Sequence, residues 1–255
     1  MRTEAKDGSV ATVSYENRRS GLPDGPTLNI LVTGFGPFRD HVVNASWESV
    51  RLLPNEDIRP PPNVRPGTKI NLIIHQIPVI YRYVADHMEQ LWEKYQPHLV
   101  IHVGVSGIAT AITLEQFAHN SGYCSPDILE CTPDGSVCVG GGCDIIESGF
   151  DMKLVTTTLN TTAETNGVVA EFSYDPGRYL CDFTYYKSLS IDKDRTAFIH
   201  VPPLGKPWSA DKMARAIKIC ITEFIRQLQE KNLLDTSFRR ATEFHDRHIN
   251  RRHEP

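Results

Sequence analysis

The chain has 255 residues, of which 40% are hydrophobic and 23% are charged, and its formal net charge at pH 7 is −4. This composition is typical of a globular protein, and the acidic balance excludes the broad basic surface that nucleic-acid binding requires. The first residues lack the apolar core of a signal peptide and no apolar run is long enough to span a bilayer, so we expect a cytoplasmic protein with no membrane or nucleic-acid partner.

Short apolar runs alternate with stretches of helical periodicity along the chain. Residues 1–26 are polar and aperiodic, which predicts a disordered N-terminal extension. Apolar runs that end at turn residues predict strands at residues 28–34, 69–79, 99–104, 111–117, 168–174 and 196–201. Helices are predicted from residue 44 and over residues 81–95, 145–163, 175–189 and 210–234. Residues 235–255 are rich in arginine and predict a flexible basic tail.

This alternation predicts a single α/β domain over residues 27–234. We expect a mainly parallel, twisted sheet with helices on both faces, in three layers. Ligands bind at the carboxyl ends of the strands in such sheets. The loops after Gly34, Gly104, Tyr174 and His200 should therefore converge, and their reactive side chains are the first candidates for a site.

Cys181 lies in one of these segments, just after a turn signal. Asp175 is a candidate helix N-cap, and Pro176 suits the first helical position. Cys181 would then lie near a helix N-terminus, where the helix dipole favours a thiolate. The alternative interpretation is a small buried cysteine, which is the commoner role in α/β proteins.

His200 ends the last strand, immediately before two prolines. Imidazole titrates in the range that a base for a thiol nucleophile requires, so a Cys/His pair is one hypothesis and a hydrogen-bonded histidine at the rim is the other. A third group would have to orient the imidazole. The spacing does not choose among the available carboxylates, which are Asp40, Glu115, Asp127 and Asp182.

The remaining motifs do not indicate a metal or a cofactor. Gly34 and Gly36 lack the third glycine of a dinucleotide fingerprint, and no GxSxG sequence is present. Four cysteines between residues 124 and 143 lack the close pairs of zinc sites. We therefore expect no metal and no cofactor, and six reduced cysteines.

Six motifs share one resemblance. They are residues 31–38 (LVTGFGPF), 43–47 (VNASW), 102–107 (HVGVSG), 113–115 (TLE), 177–186 (GRYLCDFTYY) and 200–207 (HVPPLGKP). Together they resemble the pyroglutamyl-peptidase I family in its animal form, whose members are cytosolic cysteine peptidases that remove N-terminal pyroglutamate from peptides. The motifs occur in order within residues 28–234, and their combination is specific although each one alone is weak.

The resemblance implies a catalytic triad and an activity. The nucleophile falls on Cys181, the base on His200 and the orienting carboxylate on Glu115. The implied enzyme is a cysteine exopeptidase that hydrolyses the amide bond after an N-terminal pyroglutamyl residue through a thioester. The backbone N–H of Cys181 is a candidate oxyanion donor, and peptides with N-terminal pyroglutamate are the expected partners.

The resemblance also implies where the lactam ring binds. The residues that form the wall of this pocket in the family correspond to Phe35 and Phe38. Such apolar walls suit a flat neutral ring. Asn44 is the residue expected to tie this loop into shape.

The chain departs from the family pattern at three points, and two of them, Val105 and Pro176, motivate an alternative function. Bacterial relatives have glutamine where this chain has Val105, and they have an arginine after the Glu115 strand where this chain has none before Asp144. Pro176 stands where a small residue is expected. The alternative is a weak or inactive homologue that binds pyroglutamyl peptides; the sequence does not indicate an oligomeric state.

Overall fold

The computed structural model of the chain describes residues 12–16, 25–38, 42–165 and 167–236. Within these ranges the strands are β1 Thr12–Glu16, β2 Thr27–Phe35, β3 Lys69–Ile77, β4 Leu99–Val105, β5 Ile112–Glu115, β6 Phe117–His119, β7 Ile145–Glu147, β8 Ala170–Ser173 and β9 Thr196–Val201. The α-helices are α1 Ala45–Val50, α2 Tyr81–Tyr95, α3 Met152–Thr161, α4 Leu180–Leu189 and α5 Ala210–Glu230.

Seven of the strands form a central sheet in the order β1-β3-β2-β4-β9-β5-β8, and β6 pairs with β7 apart from it. The strands β3, β2, β4 and β9 are parallel to one another. β5 and β8 are parallel to each other but run against β9, and β1 runs against β3. The sheet is therefore mainly parallel, as predicted.

Helices cover both faces of this sheet. β4 is buried along its whole length, as expected for a central strand with helices on either side. Leu99, Ile101 and Val103 pack in the core with α1, α3 and α5, whereas Val100 packs in the core with α2 and α4. The predicted three layers are confirmed. Among the described residues, no helix has the length and apolar character needed to cross a membrane.

The predicted disorder of residues 1–26 is wrong for residues 12–16. This segment forms the edge strand β1, and two of its side chains pack against the core. Residues 1–11 and 17–24 lie outside the described residues.

The predicted basic tail is described only at its start. Arg195, a buried guanidinium, donates to the hydroxyl of Thr236 at 3.2 Å. Residues 237–255 lie outside the described residues, so a flexible basic tail stays a prediction.

Two predicted helix starts are too early. The first residues of the predicted helix over residues 145–163 form β7 instead, and α3 begins only at Met152. α4 begins at Leu180 instead of Asp175, because Asp175 closes a turn: its side chain accepts from the N–H of Gly177 at 3.0 Å. The φ of Gly177 is +83°, and a proline followed by such a glycine is the order that a type II turn prefers.

The expected convergence of four loops is wrong for one of them. β8 runs against β9, so its carboxyl end does not share an edge with the ends of β2, β4 and β9. Tyr174, which follows β8, is exposed and stacks on Phe117 with ring centroids 5.5 Å apart. Residues 174–179 then lead to the start of α4.

Asn44 connects the end of β2 to the start of α1. Its amide donates to the carbonyl of Gly36 at 2.8 Å, and its Oδ1 accepts from the backbone N–H of Ser46 at 3.0 Å. Ser46 Oγ in turn accepts from the N–H of Phe35 at 2.9 Å. One buried amide thereby caps α1 and fixes the loop after β2.

Asn44→Ala should lower the free energy of unfolding by about 2–4 kcal/mol, because it removes a helix cap and leaves a buried carbonyl without its donor. Urea denaturation measures this difference when the unfolding free energies of both proteins fall with urea concentration at the same slope. The matched control is Asn63→Ala, since Asn63 is exposed. Equal midpoints for the two variants would contradict the assigned role of Asn44.

Candidate active site

Cys181 is the second residue of α4 and is partly exposed. The first backbone amides of an α-helix have no acceptor within the helix, so the N–H of Cys181 is available to a bound oxygen. The predicted position of Cys181 near a helix N-terminus is confirmed, although the helix begins with a different cap.

His200 and Glu115 lie on the adjacent strands β9 and β5. His200 Nδ1 and Glu115 Oε1 are 2.8 Å apart, and both residues are buried, at 5% and 2% exposure. An ionised carboxylate can only accept, so Nδ1 carries the proton and donates it. This bond fixes the plane of the imidazole and leaves Nε2 for the thiol.

Gly104, at the end of β4, lets Cys181 and His200 meet. A Cβ at position 104 would lie 2.7 Å from the Sγ of Cys181 and 3.2 Å from the Cδ2 of His200. The Cys181 sulfur and the His200 ring therefore both lie over this glycine, and their electrostatic interaction raises the pKa of His200. The sequence identified Gly104 only as a strand end; its signal is the glycine within HVGVSG.

The charges in this group support one another. Burial lowers the pKa of His200, but the interactions with the Cys181 side chain and with the hydrogen-bonded Glu115 carboxylate outweigh burial and raise that pKa to about 10. At neutral pH the His200 imidazole is therefore protonated. A cysteine beside such an imidazolium can attack an acyl carbon, and the imidazolium can protonate a leaving group.

The spacing left four carboxylates open as the group that orients His200, and the structure describes three of them. Glu115 contacts His200. Asp182 is fully buried, but it accepts from the backbone of β6 at 2.9 Å, and burial raises its pKa to about 7. Asp127 accepts from the backbone at the start of α2 at 3.0 Å. Asp40 lies outside the described residues.

The two phenylalanines expected at the lactam pocket occupy different places. Phe35 is buried in the core beside α2 and α4. Phe38 is half-buried, and its ring centroid lies 6.3 Å from that of Tyr179. Tyr179 is the N-cap residue of α4, two positions before Cys181, so Phe38 and Tyr179 form an aromatic pair at the start of the helix that carries the thiol. Sequence reasoning missed Tyr179, although the GRYLCDF motif contains it.

Tyr185 is a second residue that sequence reasoning missed. Its hydroxyl donates to the backbone carbonyl of Glu115 at 2.8 Å, and its side chain is buried. Tyr185 lies four residues after Cys181 and therefore on the same side of α4. It ties the helix that carries the thiol to the strand that carries the carboxylate.

The departures at Val105 and Pro176 lie in different parts of the fold. The side chain of Val105 packs in the core with α1, α3 and α5, on the opposite face of the sheet from α4. Pro176 is buried in the turn before α4.

The four cysteines between residues 124 and 143 do not form a metal site in the structure. Three of them are exposed, and burial raises the pKa of the fourth, Cys138, to about 12. In the part of the chain that the structure describes, no three His, Cys, Asp or Glu side chains are grouped to hold a metal ion.

Comparisons with known proteins agree with this geometry. The sequence model of a family described as Pyroglutamyl peptidase matches residues 28–231. Pyroglutamyl-peptidase 1 of Rattus norvegicus is 43% identical over 205 residues, which cover 80% of this chain and 93% of that protein. Pyrrolidone-carboxylate peptidase of Oceanobacillus iheyensis is 31% identical, with 75% and 96% covered.

A solved structure agrees as well. The crystal structure of Bacillus amyloliquefaciens Pyroglutamyl Peptidase I matches with a TM-score of 0.66 and 26% identity, covering 78% of this chain and 97% of that chain. The fold, the arrangement around Cys181 and these relatives agree, and the chain belongs to the pyroglutamyl peptidase family.

Proposed function

We propose that this chain is an active cysteine exopeptidase that hydrolyses the amide bond after the N-terminal pyroglutamyl residue of a peptide. The supporting observation is the imidazole of His200, which lies with the Cys181 thiol over Gly104 and whose Nδ1 is 2.8 Å from the Glu115 carboxylate. The described geometry offers nothing specific in favour of a binding protein without activity.

In the first half of the reaction, the thiolate of Cys181 attacks the carbonyl carbon of the pyroglutamyl residue. A C–S bond forms, and the carbonyl electron pair moves to the oxygen. The N–H of Cys181 at the start of α4 donates to this oxyanion. The C–N bond then breaks, and imidazolium His200 protonates the leaving amine, which leaves a thioester on Cys181.

In the second half, His200 is neutral and takes a proton from water. The resulting hydroxide adds to the thioester carbonyl, the C–S bond breaks, and pyroglutamate leaves. Cys181 returns to the thiolate and His200 to the imidazolium. Glu115 accepts from Nδ1–H throughout, so it holds the ring orientation and stabilises the imidazolium.

The pocket accounts for the proposed choice of substrate. The pyroglutamyl nitrogen is acylated within its own ring, so the substrate carries no N-terminal ammonium and requires no carboxylate partner. Phe38 supplies the apolar wall, with Tyr179 beside it, whereas Phe35, which is buried in the core, can support this wall only from within the protein, and Asn44 holds their loop in place. These assignments are supported by the 6.3 Å approach of Phe38 to Tyr179 and by the buried hydrogen bonds of Asn44.

The nucleophile, the proton donor and the oxyanion donor are all groups of this chain, so the proposed reaction requires no cofactor. It does require a reduced Cys181, which is consistent with the predicted cytoplasmic location. That location stays a prediction.

Cys181→Ser should reduce the release of a fluorophore from a pyroglutamyl amide by at least about 10³-fold, because a serine hydroxyl next to an imidazolium is a far weaker nucleophile. The assay is run on purified protein under reducing conditions. Cys143→Ser is the control, since Cys143 is an exposed thiol. Turnover that survives Cys181→Ser would exclude the assigned nucleophile, and peptide binding without hydrolysis by the wild type would favour the binding-protein alternative.

Glu115→Gln should move the alkaline limb of kcat/KM to lower pH by about one unit or more, because it keeps a hydrogen-bond acceptor but removes the charge that raises the pKa of His200. In the wild type, this limb should follow the loss of the His200 proton near pH 10. Glu171→Gln is the control, since Glu171 is an exposed carboxylate on neighbouring β8. An unchanged limb in Glu115→Gln would refute the role of the carboxylate.

Gly104→Ala should lower kcat by about 10²-fold or more, since a displacement of about 1 Å in the reacting groups has an effect of that size. The added Cβ would lie 2.7 Å from the Cys181 Sγ, so the thiol and the imidazole must separate. Gly140→Ala is the control, because a Cβ there meets no atom within 4 Å. Wild-type kcat in Gly104→Ala would show that the close approach is not needed.

A further inference from the structure

Asp127 is a buried carboxylate within an otherwise exposed loop. It is 3% exposed, whereas Leu129 is 61% exposed. Its Oδ1 accepts from the N–H of Leu129 at 2.8 Å and from the N–H of Cys131 at 3.1 Å. These bonds close a turn over residues 125–131, which we call the strap.

The same carboxylate binds the strap to α2. Asp127 Oδ2 accepts from the N–H of Tyr81, the first residue of α2, at 3.0 Å. Ile80, the N-cap of this helix, has no polar side chain and provides no capping bond. Asp127 therefore supplies the missing cap from a distant part of the chain, and the helix dipole favours a negative charge there.

Two tyrosine hydroxyls hold the other end of the strap. Tyr81 donates to the carbonyl of Ser125 at 3.2 Å, and Tyr179 donates to the carbonyl of Pro126 at 3.1 Å. The rings of Tyr81 and Tyr179 meet edge to face, with centroids 5.9 Å apart. The strap therefore fixes the far end of the Tyr179 ring, whose backbone begins the helix of Cys181.

We propose that Asp127 is a positioning residue of this peptidase. Through the strap it holds the Tyr179 ring beside Phe38, and so fixes one wall of the pyroglutamyl pocket. The carboxylate acts through its bonds to Tyr81 and to the strap backbone. This inference rests on the proposed function.

Asp127→Asn is the variant that tests the proposal with the smallest change in shape. It replaces one accepting oxygen by an NH2 group, so the three backbone donors around position 127 lose at least one acceptor. The Tyr179 ring should become less well fixed. Because the pocket wall contacts the substrate in the ground state and in the transition state alike, KM should rise about fivefold or more while kcat stays within about threefold.

The reactivity of the thiol separates this role from general damage to the site. The rate at which iodoacetamide alkylates Cys181, followed by mass spectrometry of its peptide, should stay within about twofold of the wild type. Tyr179→Phe keeps the ring and removes the hydroxyl, so KM should rise in the same direction. The double variant should not exceed the larger single effect, since both substitutions release one strap.

Asp134→Asn is the matched control, because Asp134 is an exposed carboxylate of the same loop. Wild-type KM in Asp127→Asn, or a loss of kcat and of alkylation with KM unchanged, would overturn the proposal. Should Asp127→Asn fail to fold, wild-type KM in Tyr179→Phe would overturn it instead. A wild type without hydrolysis would refute the proposed function, whereas a hydrolysing wild type that Asp127→Asn matches in KM would refute this inference alone.

Discussion

The contact of Cys181 with His200 over Gly104 is the constraint on which the rest of the site depends. A charged imidazole at 5% exposure is stable only where opposite charges face it. The Cys181 side chain and the Glu115 carboxylate meet that need. The N-terminus of α4 directs the positive end of its dipole towards Cys181, where it favours a negative charge.

The antiparallel direction of β5 against β9 brings Glu115 within reach of His200. β5 runs against β9 with Glu115 opposite Phe198 and Thr113 opposite His200. Glu115 is therefore a diagonal neighbour of His200 on one face, a separation that a long side chain can span. Tyr185, on α4, holds the backbone of Glu115 at the same time. Individual hydrogen bonds thereby hold together β5, β9 and α4, three elements that are distant in the sequence.

Local patterns predicted much of this arrangement, and the failures have physical causes. The strands β2, β3, β4, β5, β8 and β9 and the bounds of α2 follow from apolar runs and helical spacing, whereas β1 and β7 were not predicted as strands. Motif matching singled out Cys181, His200 and Glu115 together. Spacing alone could not choose Glu115 over Asp182, because the choice depends on the register of β5 against β9. The sequence pattern placed the start of α4 too early, because an aspartate can either cap a helix or close a turn. In the structure Asp175 closes a turn. The role of Asp127 was not visible because its partner lies 46 residues away.

The strand residues around the proposed reaction and the surfaces proposed to bind the lactam ring lie on different parts of the fold. His200, Glu115 and Gly104 lie within strands of the central sheet, where neighbouring strands fix each backbone position. The surfaces proposed to hold the lactam ring lie on the loop after β2 and on the segment before α4. Each surface is held in place by a single polar residue. Asn44 stabilises the first with one buried amide, and Asp127 stabilises the second with one buried carboxylate. A substitution at either residue should therefore change how the ring is held more than it changes the acyl transfer itself, since the strands that carry His200 and Glu115 do not depend on these bonds.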